Sequence, residues 1–341
     1  MARNSNLAKA KINKNDEFFT RLEDIEKELN QYNPEYFKNK IIFCNCDDPT
    51  SSNFWKFFHM NFNRFQMKKL ISTHYNHDGS SSYKMEYQSN NPSDDINLDL
   101  GKKTPLKSDG DFRSKECLNL MDESDLVITN PPFSLARDYV QTLVDHEKSF
   151  IIIGDLSWIT YKEIFPLIKE NKMWLGYTTV KEFLQPDGTY KKFGNKLWYT
   201  NVDTTKRHQK FESNYFYNKR QKLYPDLYPT YDNYDAIEVS KVIQLPLDYK
   251  GKMGVPVSFL NSYNPDQFEI IGCGDYKGKY GQDYLGIGRI GEKWMKKYRA
   301  DGGRGHYTAN MHSAVYYLPD GTAKPTFKRI FIKVKHPEED K

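Results

Sequence analysis

Cysteine is scarce in this sequence, with four residues among 341, and two of the four stand close together in Cys44-Asn45-Cys46. Four cysteines are too few for the disulfide framework of a secreted protein. They also lack the paired Cys-x-x-Cys spacing that is typical of zinc sites. The sequence therefore indicates reduced thiols in a cytoplasmic protein, and we expect no metal site.

Long apolar runs are missing as well. No apolar segment is long enough to span a bilayer, and the polar residues that follow Met1 lack the apolar core of a signal peptide. The sequence therefore argues against a membrane protein and against a secreted one.

A strong excess of one charge is also absent, since the formal net charge is +5 and the isoelectric point is about 8.7. A mildly basic balance suits a polyanionic partner but is common among other proteins. The 25 tyrosines and 21 phenylalanines add stackable rings, which nucleic-acid surfaces combine with cations. With 341 residues, the chain is long enough for one large α/β domain and a second, smaller region.

The most informative stretch is residues 125–133, where an apolar strand ends abruptly in Asn-Pro-Pro-Phe. Val127 and Ile128 are β-branched and apolar, as in a strand buried on both faces of a parallel sheet. Pro131 and Pro132 fix φ and lack the N–H that a ladder needs, so the chain must leave the sheet here. Open α/β sheets bind their ligands at such carboxyl ends of strands.

This loop offers two hydrogen-bond acceptors and an aromatic face: the side-chain carbonyl of Asn130, the main-chain carbonyl of Pro131 and the ring of Phe133. An exocyclic amine of a nucleobase is a poor nucleophile because its lone pair is delocalised into the ring. If the two carbonyls accept its hydrogens, the nitrogen becomes more nearly tetrahedral and its lone pair is freed. Phe133 would hold the base by stacking. Taken alone, the same four residues also fit a Pro-Pro turn that ends a strand before a helix.

Asn130-Pro131-Pro132-Phe133 after a strand resembles the catalytic motif of the amino-methyltransferases, which move a methyl group from S-adenosylmethionine to an exocyclic or amide nitrogen. Three further segments resemble the EcoRI-type adenine-specific DNA methyltransferase family. They are Asn45-Cys46-Asp47-Asp48-Pro49, Asp109-Gly110-Asp111-Phe112-Arg113 and Ile159-Thr160-Tyr161-Lys162-Glu163. The similarity covers most of residues 12–260.

The resemblance implies a Rossmann-like class I methyltransferase fold, an α/β fold with a seven-strand mixed sheet, followed by a C-terminal target-recognition region. We expect a mobile N-terminal tail at residues 1–12 and a catalytic domain at 13–205, with a polar insertion at 79–107. The boundary lies near Lys206, where basic, aromatic and proline residues begin to mix. Residues 206–341 would then form the region that recognises DNA.

The resemblance also implies where S-adenosylmethionine binds. Phe19 and Thr20 end a Glu-Phe-Phe-Thr segment that resembles the one holding the cofactor's carboxylate in many adenine methyltransferases. The other predicted contacts are polar residues after the first strand and an acidic-aromatic pair further along: Asn45, Asp47, Asp48, Asp111 and Phe112. The first of these loops departs from the family pattern because it has no glycine. No acidic residue directly follows the next strand to hold the ribose, so the role of Asp78 stays open. Solvated loop carboxylates and a helix N-terminal turn are the structural alternatives.

Five residues are predicted to contact DNA. The strand around residues 197–201 resembles the late strand whose aromatic residue faces the target base, so Trp198 or Tyr199 is a candidate, although both also suit a core. Arg304 lies in a glycine-flanked flexible loop and can read guanine edges, while Lys296 and Lys297 can anchor phosphates. A solvated basic surface is the alternative. The cations of the terminal third are Arg289, Lys293, Lys296, Lys297, Arg299, Arg304, Lys324, Lys328 and Arg329.

These observations predict a site-specific DNA adenine N6-methyltransferase that acts on a flipped-out adenine in double-stranded DNA. We expect a monomer at the bacterial nucleoid, in a restriction-modification system, that works alongside a restriction endonuclease without a stable complex. Methylation of an RNA base or of a protein glutamine shares the loop chemistry and is the first alternative. The second is a catalytically inactive DNA-binding relative, against which the chemically complete loop argues.

Overall fold

The computed structural model describes residues 19–76, 78–88, 101–185, 188–224, 226–274 and 279–338. The chain divides into two compact units. The first unit comprises Met1–Trp158 and Met173–Thr204, and the second unit comprises Ile159–Lys172 and Thr205–Lys341. The predicted N-terminal tail at residues 1–12 and the middle of the predicted insertion, residues 89–100, lie outside the described residues.

The first unit is built on one mixed sheet of nine strands among the described residues. Its spatial order is β1-β8-β9-β7-β6-β2-β3-β4-β5. The central strands β3, β2, β6 and β7 are mutually parallel, and the others pair with their neighbours in antiparallel fashion. The strands are β1 (Phe19–Thr20), β2 (Ile41–Cys44), β3 (Lys69–Thr73), β4 (Tyr83–Tyr87), β5 (Lys102–Pro105), β6 (Leu126–Thr129), β7 (Ser149–Asp155), β8 (Trp174–Leu184) and β9 (Tyr190–Thr200).

The parallel centre forms where the sequence is a continuous apolar run. All residues of β2 and β6 are buried, as expected for strands covered on both faces. The strand count exceeds the predicted seven because two short strands extend the edges. These are β1, which pairs with the end of β8, and β5, which forms a hairpin with β4 from the two ends of the predicted polar insertion.

Among the described residues, four α-helices belong to the first unit: α1 (Leu22–Leu29), α2 (Asn53–Met60), α3 (Lys115–Glu123) and α4 (Ala136–Asp145). Two of them begin at a serine that satisfies a backbone N–H of the first turn. Ser52 Oγ accepts from Phe54 N at 3.0 Å, and Ser114 Oγ accepts from Cys117 N at 3.2 Å. The buried aromatic face of α2 packs into the core beside the sheet, and each such side chain contributes about 1.5–3 kcal/mol of burial free energy.

The second unit contains a four-stranded sheet of order β10-β11-β15-β12 and a separate two-stranded ladder of β13 and β14. The strands are β10 (Ile237–Glu238), β11 (Met253–Pro256), β12 (Phe268–Cys273), β13 (Val315–Tyr317), β14 (Ala323–Pro325) and β15 (Arg329–Val334). The helices are α5 (Phe165–Lys169), α6 (Tyr217–Leu223), α7 (Gln282–Leu285) and α8 (Glu292–Ala300). None of the helices in the described parts of the chain is long and apolar enough to cross a membrane.

A buried ion pair lies within the four-stranded sheet. Glu238 is fully buried, and Arg329 Nη2 lies 2.5 Å from its Oε1. Arg329 Nε also donates to Glu238, as does the Tyr231 hydroxyl. Arg329, one of the cations of the terminal third, is therefore part of the interior of this sheet.

The last boundary between the units falls at residues 204 and 205, but the segment 159–172 belongs with the second unit. The prediction had placed this segment inside the catalytic domain. Helix α5 packs on β12, and Glu170 pairs with Lys279 at 2.8 Å. Lys328 Nζ also donates to Thr160 Oγ1 at 3.2 Å. The chain therefore leaves the first unit after β7 and returns to it at β8.

Candidate active site

The candidate site lies at the carboxyl edge of the parallel strands in the first unit. Strands β2, β6 and β7 are adjacent and run in the same direction. The loop after β2, residues 45–52, therefore lies next to the Asn-Pro-Pro-Phe loop after β6, and the latter lies next to the end of β7. This is the edge at which open α/β sheets bind ligands.

Asp47 joins the two loops through a buried carboxylate. Its Oδ1 accepts from Ser52 Oγ at 3.0 Å, and its Oδ2 accepts from the Thr129 hydroxyl and from Asn130 N at 3.4 Å. The Thr129 oxygen in turn accepts from Cys46 N at 3.2 Å. The backbone of Asn130 is thus held in register with the loop after β2.

Burial raises the pKa of Asp47 to about 6, against the opposing effect of the hydrogen bonds from Thr129, Ser52 and Asn130. Asp47 was predicted as a direct cofactor contact. In the structure its oxygens accept hydrogen bonds from both loops. Asp47 would therefore affect cofactor binding through the positions of these loops. Sequence analysis missed Thr129, although a hydroxyl residue at the end of a buried apolar strand is a signal for such a bond.

Asn45 and Phe112, both predicted cofactor contacts, are connected by Tyr139 on α4. The Tyr139 hydroxyl donates to Asn45 Oδ1, and its ring meets Phe112 edge to face at 5.0 Å between centroids. Asn45 is buried, and its Nδ2 has no hydrogen-bond partner among the described residues. The structure therefore brings these two predicted residues together.

Phe19 and Thr20 form β1, and Thr20 lies beside the start of α2. Asn53 Nδ2 donates to Thr20 O at 2.8 Å. Thr20 Oγ1 is buried and has no partner within the described parts of the chain. A buried polar atom without a hydrogen bond is costly. Thr20 Oγ1 and Asn45 Nδ2 therefore fit a ligand that brings its own polar groups, as the amino-acid end of S-adenosylmethionine does.

Asp48 contacts His74, which directly follows β3, and Tyr83 on β4. Its carboxylate accepts from Thr50 N at 3.0 Å and from the Tyr83 hydroxyl at 2.8 Å, and His74 Nδ1 lies 3.5 Å from it. Burial favours a higher pKa for Asp48, but these hydrogen bonds and His74 outweigh it and the pKa is lowered. Asp48 therefore stays ionised at neutral pH, next to the end of β3.

Asp111 binds Arg113 with both carboxylate oxygens, at 2.9 Å from Nε and 2.6 Å from Nη2. A direct contact of Asp111 with a cofactor adenine would have to share this ion pair. Asp78, whose role was open, accepts from Ser80 N at 2.7 Å in an exposed turn.

Asp109 is a carboxylate that sequence analysis did not assign. Its carbonyl accepts from Asn76 N at 2.7 Å, which places it beside the segment that follows β3. Gly110 makes this approach possible because a Cβ there would lie 1.9 Å from His74 O, and its φ is +83°. The Asp-Gly-Asp pattern was the available signal for an acidic group at the end of β3.

Phe133 lies in an aromatic surround at the catalytic loop. Its ring meets Trp158 at 6.5 Å and Phe183 at 6.0 Å between centroids, both edge to face. Lys196 Nζ lies over the ring at 4.4 Å from its centroid. Phe133 begins a short 3-10 helix, Phe133–Leu135, that follows Pro131 and Pro132, so the two prolines end the strand as predicted.

Trp198 and Tyr199 do not lie where the prediction placed them. Both side chains are fully buried, so neither presents a free face to a nucleobase. Trp198 packs against Phe54 in the core, and Tyr199 stacks on Trp158 at 5.6 Å. Consecutive residues of a strand point to opposite faces, and here both faces of β9 are covered. The alternative assignment to the core is correct.

The three cations predicted to contact DNA all lie in the second unit. Helix α8 buries Trp294, Met295 and Tyr298 and leaves Lys296 and Lys297 exposed. Lys297 forms an ion pair with Asp301, whereas Lys296 has no ion-pair partner among the described residues.

The loop that carries Arg304 is held in place by its neighbours. The Arg299 guanidinium donates to Gly303 O and Gly305 O, each at 2.9 Å, and the Tyr298 hydroxyl donates to Arg304 O at 2.6 Å. The Arg304 side chain is exposed and has no ion-pair partner in the described ranges. The loop was predicted to be flexible; these bonds fix its shape and leave Arg304 available.

Comparison with known proteins gives matches along nearly the whole chain. The family model described as "Adenine-specific methyltransferase EcoRI" matches residues 6–335. The chain is 44% identical to type II methyltransferase M.EcoRI of Escherichia coli, over 80% of this chain and 90% of that protein. It is 39% identical to type II methyltransferase M.MpnI of Mycoplasma pneumoniae, over 78% of this chain and 84% of that protein.

A third relative, type II methyltransferase M.MgeORF184P of Mycoplasma genitalium, is 38% identical over 78% of this chain and 85% of its own length. No solved structure gives a significant match.

Proposed function

This chain belongs to the adenine-specific methyltransferase EcoRI family and is an adenine-specific DNA methyltransferase, and from that premise we propose how its residues carry out the reaction. The observation that carries the proposal is the buried carboxylate of Asp47, which accepts from the Thr129 hydroxyl and from the backbone N–H of Asn130. This link fixes the catalytic loop beside the loop that follows β2. Fixed relative position is what methyl transfer to a weak nucleophile requires.

The acceptors on the loop act on the target amine. The side-chain carbonyl of Asn130 and the main-chain carbonyl of Pro131 each take one hydrogen of the adenine amino group. The nitrogen then becomes more nearly tetrahedral and its lone pair points away from the ring. Pro131 and Pro132 keep this backbone stiff, and Phe133 stacks on the base. The product amine is transiently cationic and loses its proton readily, so this step needs no strong base.

The methyl donor is S-adenosylmethionine, which supplies a methyl group activated on a sulfonium. Thr20 and Asn45 offer buried polar atoms to its amino-acid end, and Phe19 lies beside Thr20 on β1. Asp48, next to the end of β3, would hold the ribose, and Asp111 and Phe112 would lie against the adenine end of the cofactor. Asp47 orders the loop that holds these residues.

The second unit supplies the contacts to double-stranded DNA. Lys296 and Arg304 are exposed cations on a helix and on a braced loop, and a duplex is the polyanion they suit. This favours DNA over a protein glutamine, for which exposed cations have no evident use. We place the enzyme in a restriction-modification setting, as a monomer that works beside an endonuclease without a stable complex.

The test is a restriction-protection assay on plasmid DNA with purified protein and S-adenosylmethionine, followed by long-read mapping of modified adenines. The wild type should modify one short sequence, and Asn130→Ala should leave the plasmid unprotected. Ser134→Ala is the matched control, because Ser134 is exposed in the same loop and has no assigned role. A folded wild type that transferred methyl groups to a protein glutamine or to RNA, and left the plasmid unmodified, would overturn the proposal.

A further inference from the structure

A lysine is buried beside the catalytic loop, where the mechanism above assigns it no role. Lys196 is on β9, and its side chain is only 8% exposed. We propose that Lys196, held by Asp155, is a positioning residue that fixes the Phe133 ring for the target base. The inference rests on the proposed function of the Asn130 loop and adds a second element that orders it.

The lysine is neutralised by a carboxylate at the end of β7. Lys196 Nζ lies 2.5 Å from Asp155 Oδ2, and Asp155 Oδ1 accepts from Ser157 N at 2.8 Å. Burial acts to raise the pKa of Asp155, but the hydrogen bond from Lys196 and those from Ser157 outweigh it and the pKa is lowered. The Asp155 carboxylate is therefore ionised at neutral pH and forms an ion pair with Lys196.

The ammonium group also contacts two aromatic rings. It lies 4.4 Å from the Phe133 centroid and 5.3 Å from the Phe193 centroid, within the range at which a cation is attracted to a ring face. A cation over one face of Phe133 does not compete with a base that stacks on the opposite face. The contact also opposes rotation of the ring, because any tilt lengthens the distance from the ammonium to the π face.

Asp155 accepts a hydrogen bond from Tyr199, one of the two residues that were predicted to face the target base. The Tyr199 hydroxyl donates to Asp155 O at 2.9 Å, and Trp158 stacks on the Tyr199 ring. Trp158 also meets Phe133 edge to face. Tyr199 thus helps to hold Asp155, and Trp158 packs against both the Tyr199 and the Phe133 rings. These buried aromatic residues therefore help to position the Asp155–Lys196 pair and Phe133.

The two partners are buried to different extents, and this makes the proposal sharply testable. The Asp155 side chain is 37% exposed, whereas that of Lys196 is 8% exposed. Removal of Lys196 leaves a carboxylate that water can reach. Removal of the Asp155 charge leaves a buried cation without a counter-charge. That cation would also oppose the positive charge that passes to the adenine amine.

The experiment compares Lys196→Met, Lys196→Arg, Asp155→Asn and the double variant Asp155→Asn/Lys196→Met. Lys192→Met is the matched control, because Lys192 lies on the same strand with a side chain that is 83% exposed. Each protein is assayed for kcat and for KM toward S-adenosylmethionine and DNA. The emission of 2-aminopurine placed at the mapped target adenine reports how the flipped base is stacked.

Lys196→Met should lower kcat about tenfold, leave KM for S-adenosylmethionine unchanged and weaken the quenching of 2-aminopurine. Lys196→Arg should restore most of the quenching, since a guanidinium also binds a ring face and a carboxylate. Asp155→Asn should lower kcat about a hundredfold, and the double variant should recover to near the level of Lys196→Met.

Equal kcat and equal 2-aminopurine emission in Lys196→Met and Lys192→Met would overturn the inference while the proposed function stood. A wild type without methyl transfer would instead remove the proposed function itself. If Asp155→Asn fails to fold in a thermal unfolding control, the comparison of Lys196→Met with Lys196→Arg decides, because loss of quenching without rescue by arginine also contradicts the role.

Discussion

The two units use their charged side chains differently. Around the candidate site of the first unit, Asp47 and Lys196 are buried, and they and Asp155 bind partners within the same unit. In the second unit the cations fall into two groups. Arg299 donates to backbone carbonyls and Arg329 pairs with Glu238, and we call these two residues the clamped arginines. Lys296 and Arg304 are exposed, and we call them the available cations.

The difference follows from what each unit is proposed to do. Methyl transfer to one amine needs a fixed geometry, so charge near the catalytic loop serves position and is neutralised locally. Recognition of a duplex needs cations that can pair with phosphates and base edges, so charge must be left available. Within the second unit, the clamped arginines shape the surface that the available cations occupy. The sequence alone does not distinguish the clamped arginines from the available cations.

Of the two clamped arginines, Arg329 gives the stronger test of a structural role. Arg329→Met would leave the fully buried Glu238 carboxylate without its counter-charge, and the free energy of unfolding should fall by about 3–5 kcal/mol. Chemical denaturation measures the change, and Lys324→Met, at an exposed position on β14, should be close to neutral. If Arg329→Met kept wild-type stability and lost DNA affinity instead, Arg329 would belong with the available cations.

Asn130→Ala tests the geometric role of the first unit. Loss of one preorganised acceptor should lower kcat about a hundred- to a thousandfold, because the amine would remain planar and unaligned. Binding of S-adenosylmethionine by calorimetry and of DNA by titration should be close to that of the wild type. Near-normal turnover would mean that the methyl acceptor is activated by other groups.

Arg304→Ala tests the available cations. Loss of a guanidinium that reads a base edge should reduce discrimination at one base position by about 1–3 kcal/mol. The measurement is methylation of a panel of duplexes, each with one substituted base pair in the mapped site. A uniform loss across the panel would make Arg304 a phosphate anchor and leave base readout to other residues.

The pH dependence of stability and of turnover tests the role of the buried Asp47 carboxylate. Its folded-state pKa of about 6 is above the usual 3.8, so the folded protein binds this proton more tightly than the unfolded chain does. The resulting stabilisation is fully present below about pH 3.8 and is lost as the pH rises through about 6, by at most about 1.4 kcal/mol per pH unit. Turnover should show the opposite trend and decline below about pH 6, because protonation removes an acceptor from Thr129 and Asn130.

The matched variant for this test is Asp47→Asn, which mimics the neutral side chain. The difference in unfolding free energy between wild type and Asp47→Asn should change between pH 5 and pH 7.5, while the acid limb of the rate profile should flatten in the variant. An unchanged difference across this range would show that Asp47 titrates elsewhere.

The smallest expected effects separate Lys296 from Lys297. Lys296→Ala should weaken DNA binding evenly across sequences and reduce the slope of log affinity against log salt by about 0.9, the value for one phosphate contact. Lys297→Ala should change the slope less, because its ammonium is paired with Asp301 on the same helix end. Equal slopes for the two variants would show that this pair opens when DNA binds.

Sequence predicted the parts of the site that are contiguous. Residues 126–133 specify a buried strand, a proline-enforced exit and the acceptor loop within eight positions, so the local chemistry was visible. The same holds for the loop at residues 45–52. Both lie at one edge because adjacent strands are parallel, which an alternation of strands and helices indicates.

Sequence could not predict partners that meet only after the sheet has formed. Thr129 and Asp47 are 82 residues apart, and Lys196 reaches Phe133 only because β9 inserts beside β7 in antiparallel register. The assignment of Trp198 and Tyr199 to DNA failed for the same reason, since their burial depends on which elements cover β9. The edge strand β1 was missed because it is short and depends on pairing with β8.

Residues 159–172 belong to the second unit, although they lie in sequence between β7 and β8 of the first unit. This arrangement constrains how the protein is synthesised and how it can evolve. The ribosome releases Phe165 and Ile168, which end up buried, before the residues from 205 onward that complete their surroundings. A gene fragment that stopped near residue 205 would therefore encode an exposed apolar helix and would aggregate. Exchange of everything after residue 205 by recombination would leave α5 facing a foreign surface. If the second unit recognises DNA as proposed, we expect new target sequences to arise by point substitutions on it, such as those at Arg304, and not by exchange of everything after residue 205.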